Sequence, residues 1–399
     1  MKIVIIGGGA AGVFASLAAK EANPGAEVLV LERTAKLLSK VRISGGGRCN
    51  VTHACFDPRM LVRNYPRGHK ELLGPFHRFQ PQDTVNWFEQ RGVALKEEGD
   101  GRIFPVSDSS QTIIDCLLGE AEKLGVVIKT QSKLQSIRKG EKGFDLKISK
   151  ENDLHADRVI LATGSALAGW DFAKGFGHTV VAPVPSLFTF NIPSFPLAGL
   201  AGVSVRQAKL KLADGKFEEA GPLLITHWGF SGPGALKLSA FEARFLAEKN
   251  YEAALIVDWL PEFSEDWLRG LIEKSRGARQ AGSLRIVPLP ASLWKKLLDR
   301  AGIPQTTLAN ALSKKAVFQL CESLKRDRYQ VKGKTTNKEE FVTCGGVALS
   351  EINFKTMESR RAKHLFFCGE ILDIDGVTGG FNFQNAWTTG LLAGRAAAE

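Results

Sequence analysis

"MKIVIIGGGAAGVFASLAAK" (1–20), followed by "AEVLVLE" (26–32), decides the fold. Ile3 to Ile6 is aliphatic at every position, as a central parallel strand covered on both faces requires. Gly7, Gly9 and Gly12 then satisfy G-x-G-x-x-G. Gly7 permits the tight strand-to-helix turn, Gly9 lets backbone approach a pyrophosphate, and Gly12 lets helix and strand pack closely. Ala10 and Ala11 open an alanine-rich helix whose N-terminal N–H groups face that phosphate. The second strand ends in Glu32, 20 residues after Gly12, the spacing of an acid that binds ribose hydroxyls. Arg33 follows it. Strand, glycines, helix, strand and acid occur in order, which a lone glycine fingerprint would not give, and the acid argues against a 2′-phosphate here.

A chain of 399 residues implies two or three domains. No apolar run approaches the ~20 residues that span a bilayer. The opening turns directly into glycines and carries no signal-peptide pattern. The expectation is a cytoplasmic protein without a membrane partner. The six cysteines form no C-x-x-C pair, so metal-finger and redox-pair readings lose their support and no metal is expected. The formal net charge of +11 favours anionic partners, and "LKRDRYQVKGK" (324–334) and "SRRAKH" (359–364) are its densest stretches. A solvated basic surface is the stronger reading of these stretches.

The first motif serves FAD and NAD alike, so the rest of the chain must decide. Residues 109–124 read as a helix capped by Ser109 or Ser110. "GVVIKT" and "SKLQSIRKGEKGFDLKIS" read as short strands with a turn at 140–143, and "ADRVILATGS" as an apolar strand ending in Thr163-Gly164. This is a doubly wound sheet with a β-meander crossover, similar to the FAD-binding domain of glutathione-reductase-like flavoproteins. Leu134 in the meander, Thr163 and Gly164 join the candidate cofactor-binding residues. In "KHLFFCGEILDIDGVTGGFNFQNAWTTGLLAGRAAA" (363–398), a strand at 365–368 leads to Gly369-Glu370, and a glycine loop precedes a helix of small and apolar residues. Flavoproteins of this kind place such an acid near the ribityl chain or pyrophosphate. Their helix N-terminus stabilises charge on the reduced flavin. Gly379, Gly380, Phe381 and Asn382 are the candidates there. No second G-x-G-x-x-G occurs mid-chain, so no dedicated nicotinamide domain is expected, and NAD(P)H is left open as a transient electron donor.

"KVRISGGGRCNVTH" (40–53) is the most specific stretch. Ser44, Gly45, Gly46, Gly47 and Asn50 suggest backbone lying against a flat ligand or phosphate. Lys40 precedes them. Arg48 could pair with phosphate or a substrate carboxylate through its planar fork. Cys49 reads as a reactive thiol or, with better support, a packed small residue.

Together, GGGAAG (7–12), SGGGRCNVTH (44–53), GRIFPVS (101–107), THWGFSGPGAL (226–236) and CGEILDIDGVTGGFNFQNAW (368–387) resemble the BaiN-like bacterial flavoproteins, the aminoacetone-oxidase-family FAD-binding enzymes. The resemblance implies a non-covalent FAD and a Rossmann-like domain interrupted by an insertion. It puts cofactor contacts at the first glycine loop, Glu32, 44–50, Glu370 and 380–382.

The fold expected is α/β: a Rossmann-like FAD-binding domain (1–186 and 341–399) interrupted by an inserted β-barrel-like antiparallel domain (187–260 and 328–340) and a small helical domain (261–327). Alternation around 203–212 with Asp214-Gly215 as a turn supports the former. "SEDWLRGLIEKSR", "PASLWKKLLDRAG" and "QTTLANALSKKAVFQLCESLKRD" support the latter. His227 is a candidate general acid or base, although a histidine satisfied by local hydrogen bonds is the stronger reading. The function expected is FAD-dependent hydride transfer between a small-molecule substrate or NAD(P)H and the flavin. Two alternatives stand beside it: a flavoprotein that binds or modifies RNA, for which no RNP-type motif is present, and a flavin-binding protein without turnover.

Overall fold

The computed structural model describes residues 1–149, 153–275, 277–335 and 342–399. The expected domain boundary at 340/341, and the stretch 336–341 expected as strand, lie outside the described residues. The chain divides into two compact units: Met1–Val184 with Lys338–Glu399, and Pro185–Asn337.

The first unit is built on parallel strands β1 (Lys2–Ile6), β2 (Glu27–Leu31), β3 (Val127–Lys129), β4 (Arg158–Leu161) and β5 (Leu365–Phe367). They lie in the order β5-β4-β1-β2-β3, with two short antiparallel strands added beyond β5. β1, β4 and β5 are apolar and buried because both sheet faces are covered. The expected meander is present at Leu134–Lys139, Phe144–Ile148 and Leu154–Ala156, with its turn closed by Gly140 N–H donating to the Gly143 carbonyl at 2.9 Å. The expected helix forms at Ser110–Lys123, where the Ser109 hydroxyl accepts from Gln111 N–H.

Two helices from opposite ends of the chain cover the sheet: α1 (Ala10–Ala22) and the C-terminal helix Phe381–Ala398. A side chain at Gly394 would collide with the Ala15 carbonyl, and one at Gly390 would lie 2.7 Å from the Ala11 carbonyl. These glycines let the helix backbones touch. Phe14 packs into the same seam, 5.4 Å from the Trp387 ring and 4.8 Å from that of Trp87.

The second unit holds a seven-stranded antiparallel sheet in the order Asp327–Lys332, Glu252–Asp258, Ser204–Leu212, Glu218–Ile225, Gly229–Ser231, Thr189–Asn191, Lys334–Thr335. Its core joins Phe190, Phe230 and Trp259 to leucines of helices Glu265–Lys274, Ala291–Arg300 and Lys314–Lys325. The last of these starts later than its apolar pattern predicts. Residues 306–312 are irregular around a short 3₁₀ turn, and the helix begins where the Ser313 hydroxyl accepts from Ala316 N–H. A serine cap overrode weak local propensity. Among the described residues, no helix is long and apolar enough to cross a membrane.

Candidate functional site

Because β1, β2, β4 and β5 run parallel, their carboxyl ends share one edge, where open α/β sheets form ligand crevices. Gly7, Glu32, Thr163 and Glu370 all stand there. Gly9 caps α1 with no side-chain hydrogen bond, so the first N–H groups of the helix have no side-chain acceptor at the cap. A Cβ on Gly9 would meet nothing within 4 Å, whereas one on Gly12 would collide with the Gly7 carbonyl. The two glycines therefore do different work: Gly12 closes protein on protein, and Gly9 faces open space. Glu32 is held at the strand end, where it accepts from Gly8 N–H at 2.9 Å and from the Thr34 N–H and hydroxyl at 2.8 Å. Arg33 is exposed beside it.

The second glycine cluster lies at the end of α2 (Ser39–Gly47), which breaks where Ser44 turns extended and Gly45 and Gly46 turn left-handed at φ 58° and 69°. Gly46 and Gly47 also face open space. Arg48 does not project an unengaged fork. Its guanidinium pairs with Glu98 at 2.6 Å and Asp108 at 3.5 Å and lies 4.0 Å over the Phe104 ring. Cys49 is fully buried, and burial pushes its thiol up to about 12. It is a packing residue, because the thiolate is the reactive form.

The tail closes on this cluster. In the amide orientation that satisfies both ends, Asn50 donates to the Thr52 carbonyl and accepts from Gly380 N–H, each at 2.9 Å. Gly380 caps the C-terminal helix, α3 (Phe381–Ala398), again without help from its own side chain. Lys40 forms an ion pair with Glu370, and Thr343 N–H donates to the same carboxylate at 3.2 Å. Gly369 N–H is tied to the Thr389 hydroxyl at 2.9 Å. Gly164 faces Glu370, since a Cβ there would lie 3.6 Å from its Oε2. The Asn382 amide is committed to Gly376, donating to its carbonyl at 2.9 Å and accepting from its N–H at 2.8 Å, so it shapes the glycine loop. Phe381 is buried, stacks on His53 at 4.7 Å and accepts the Tyr65 hydroxyl at its carbonyl at 2.6 Å.

A dinucleotide with a polyol linker fits these donors and gaps. Gly9, Gly46 and Gly47 leave space where side chains would intrude. The hydroxyl oxygens of Thr163 and Thr343 are buried and, among the described residues, find no hydrogen-bond partner. The Thr163 oxygen is turned to Gly169, where an added Cβ would lie 1.8 Å from it, so it faces protein, while a group such as that of Thr343 calls for a ligand or water. Thr343 was missed by the sequence reading. Its signal was the Gly345-Gly346 pair inside an apolar strand, Val342–Val347, since glycines in a strand interior mark close backbone approach. Leu134 is buried and lines a cleft with Ala168, Asp171 and Phe172. His227 belongs to the second unit, exposed beside Trp228 in the turn between Glu218–Ile225 and Gly229–Ser231.

The family model described as "HI0933-like protein Rossmann domain" matches residues 1–396. The chain is 32% identical to the 3-dehydro-bile acid delta(4,6)-reductase of Clostridium scindens over 100% of its own length and 99% of the relative's. It is also 32% identical to the ribosomal RNA dihydrouridine synthase of Escherichia coli, over 97% of this chain and 95% of that one. Among solved structures, the 3-ketosteroid-delta4-(5alpha)-dehydrogenase of Rhodococcus jostii aligns with a TM-score of 0.52 at 16% identity, covering 100% of this chain and 96% of that one. That likeness is one of fold.

Proposed function

The chain belongs to the HI0933-like family, and from that premise we propose that it is an FAD-dependent oxidoreductase that saturates a carbon–carbon double bond conjugated with a carbonyl. Both relatives' activities are reductions of this kind. One acts on a 3-oxo steroid skeleton, and the other leaves the uracil ring saturated. The observation that carries the cofactor is the meeting of head and tail at the Asn50–Gly380 hydrogen bond, beside two glycine segments that face open space.

In this reading Glu32 holds the adenosine ribose, and the start of α1 holds the pyrophosphate. Gly46 and Gly47 admit the flat ring system, and Glu370 and Thr343 take the ribityl hydroxyls. Bound FAD would supply two-electron hydride chemistry between NAD(P)H and the conjugated double bond, with solvent as the proton source. The N-terminus of α3 contributes N–H groups and a positive dipole end where negative charge collects. Lys40, ion-paired with Glu370, holds that carboxylate at the same edge. The fold assigned to the insertion is a sheet that closes on itself. The support is that the segment 327–335 pairs with Glu252–Asp258 over its first part and with Thr189–Asn191 over its last.

A second reading of the substrate has its own observation. Residues 185–337 hold 22 Lys and Arg against 14 Asp and Glu, so most of the +11 net charge falls on that segment, as phosphate-rich RNA would favour. Anaerobic reduction of the purified protein by NADH and NADPH, followed by reoxidation with a conjugated enone or with unmodified ribosomal RNA, separates the readings. Bleaching without reoxidation by either acceptor contradicts both.

A further inference from the structure

At the amino ends of β4 and β5, the sheet edge opposite the cofactor crevice, four basic residues gather. Arg158 opens β4, and Lys363-His364 immediately precede β5. The Val159–Leu365 pairing sets Arg158 and His364 side by side in register. Lys139, at the end of its meander strand, reaches across to donate from Nζ to the Lys363 carbonyl at 2.8 Å. Among the described residues, Lys139, Arg158 and Lys363 have no carboxylate at ion-pair distance. Glu358 is 4.0 Å from His364 Nδ1, and its carboxylate also accepts the His364 N–H at 2.7 Å. Asp157 is turned to the Lys2 N–H at 2.6 Å. The crowding is felt within the group. Burial and then Arg158 lower the Lys139 ammonium, and burial followed by Arg158, Lys139 and Lys363 lowers His364, with Glu358 opposing the shift in both.

The turn that carries two of these residues is built from beneath. The Ser359 hydroxyl oxygen accepts from Arg361 N–H at 3.0 Å and Ala362 N–H at 2.8 Å, and it meets buried His178 Nε2 at 2.7 Å. His178 Nδ1 bonds Glu351, which also takes Arg361 at 2.6 Å. His364 itself sits at φ 71°, a left-handed conformation uncommon for a residue with a side chain. Lys139, Arg158 and Lys363 are held close on a rigid turn, and Glu358, which faces Lys139 and His364, balances only part of their charge, so an anion from outside is matched by the remainder.

We propose that Lys139, Arg158, Lys363 and His364 form a phosphate-binding patch that takes the phosphodiester backbone of an RNA strand, apart from the cofactor crevice. The inference goes beyond the reading of the redox site and stands whether the reduced double bond is in a nucleobase or a small molecule.

The test uses the flavin-loaded full chain and a fluorescent oligouridylate, with affinity measured against salt from about 50 mM upward. The triple variant Lys139→Gln, Arg158→Gln, Lys363→Gln is expected to lower the magnitude of the log–log salt slope by about 2, since each single-strand phosphate contact contributes ~0.7. The single variant Lys363→Glu alters one exposed side chain and guards against a folding artefact; it should weaken binding as well. An unchanged slope in both variants, or no binding near 50 mM salt, overturns the proposal. Loss of binding to inorganic pyrophosphate with RNA affinity unchanged also overturns it, in favour of a small-anion site. Flavin content and NAD(P)H reduction, read on the same samples, report separately on the redox reading.

Discussion

Asn50 accepts the N–H of Gly380 at 2.9 Å and so ties the loop after α2 to the first turn of α3, 330 residues further along the chain. The same side chain holds the Thr52 carbonyl. One amide therefore fixes the two glycine-bearing segments against each other. Asn50→Ala leaves both backbone groups unpaired and is expected to cost about 1–2 kcal/mol in urea unfolding. Asn50→Asp keeps the acceptor and should lose less. Equal stability of wild type and Asn50→Ala would show that the link carries no load.

Gly9 and Gly12 should respond in opposite ways to the same added methyl group. Gly12→Ala drives a Cβ into the Gly7 carbonyl and is expected to destabilise the chain by about 1–3 kcal/mol even without cofactor. Gly9→Ala meets no protein atom within 4 Å, so the apo protein should change by less than about 1 kcal/mol while FAD affinity falls sharply. Urea denaturation of the stripped protein, beside FAD titration, separates the two.

Cys49 is expected to be dispensable for chemistry. Its thiol, pushed up to about 12 by burial, presents almost no thiolate at neutral pH. Cys49→Ala should keep flavin binding and turnover and lose about 1 kcal/mol of packing. Loss of turnover with flavin retained would restore a chemical role.

The buried pair His178–Glu351 predicts acid lability. Burial raises the Glu351 carboxyl, but hydrogen bonds from Arg361, Thr179 and His178 outweigh it and bring the group from its ordinary 4.5 to about 2. The folded state then binds fewer protons than the unfolded chain between those values. The stabilisation is complete above pH 4.5 and is lost as pH falls toward about 2. Burial lowers His178 below its ordinary 6.5 against the pull of Glu351, so its contribution also declines as pH falls from there. Stability measured against pH should show the difference between wild type and Glu351→Gln shrinking between pH 4.5 and 2. A difference independent of pH would contradict the assignment.

The parts of this site that depend on local spacing were legible in the sequence. The strand, the glycines, Glu32 and the glycine loop before the last helix are each dictated by a few neighbouring residues, and their elements are where the pattern puts them. What was not legible depends on partners far along the chain. Nothing near Arg48 in sequence shows that Glu98 and Asp108 engage its guanidinium. Nothing near Lys40 points to Glu370. Thr343 sits in a strand whose glycines were visible, but its place beside Glu370 arises only when the turn at Gly369–Ile371 and the strand at 342–347 come together. The late start of the helix at Lys314 shows the reverse case: a single capping serine, local and readable, was outweighed in the reading by apolar spacing that continues back through weak helix formers at 305–312.

The most direct test of the central claim is equilibrium titration of the stripped full chain with FAD, followed by flavin absorbance and fluorescence. The account predicts saturable binding of one FAD per chain, weakened by Gly9→Ala and by Glu32→Ala while the apo fold persists. A well-folded chain that takes up no FAD, or binding that neither substitution alters, would contradict it.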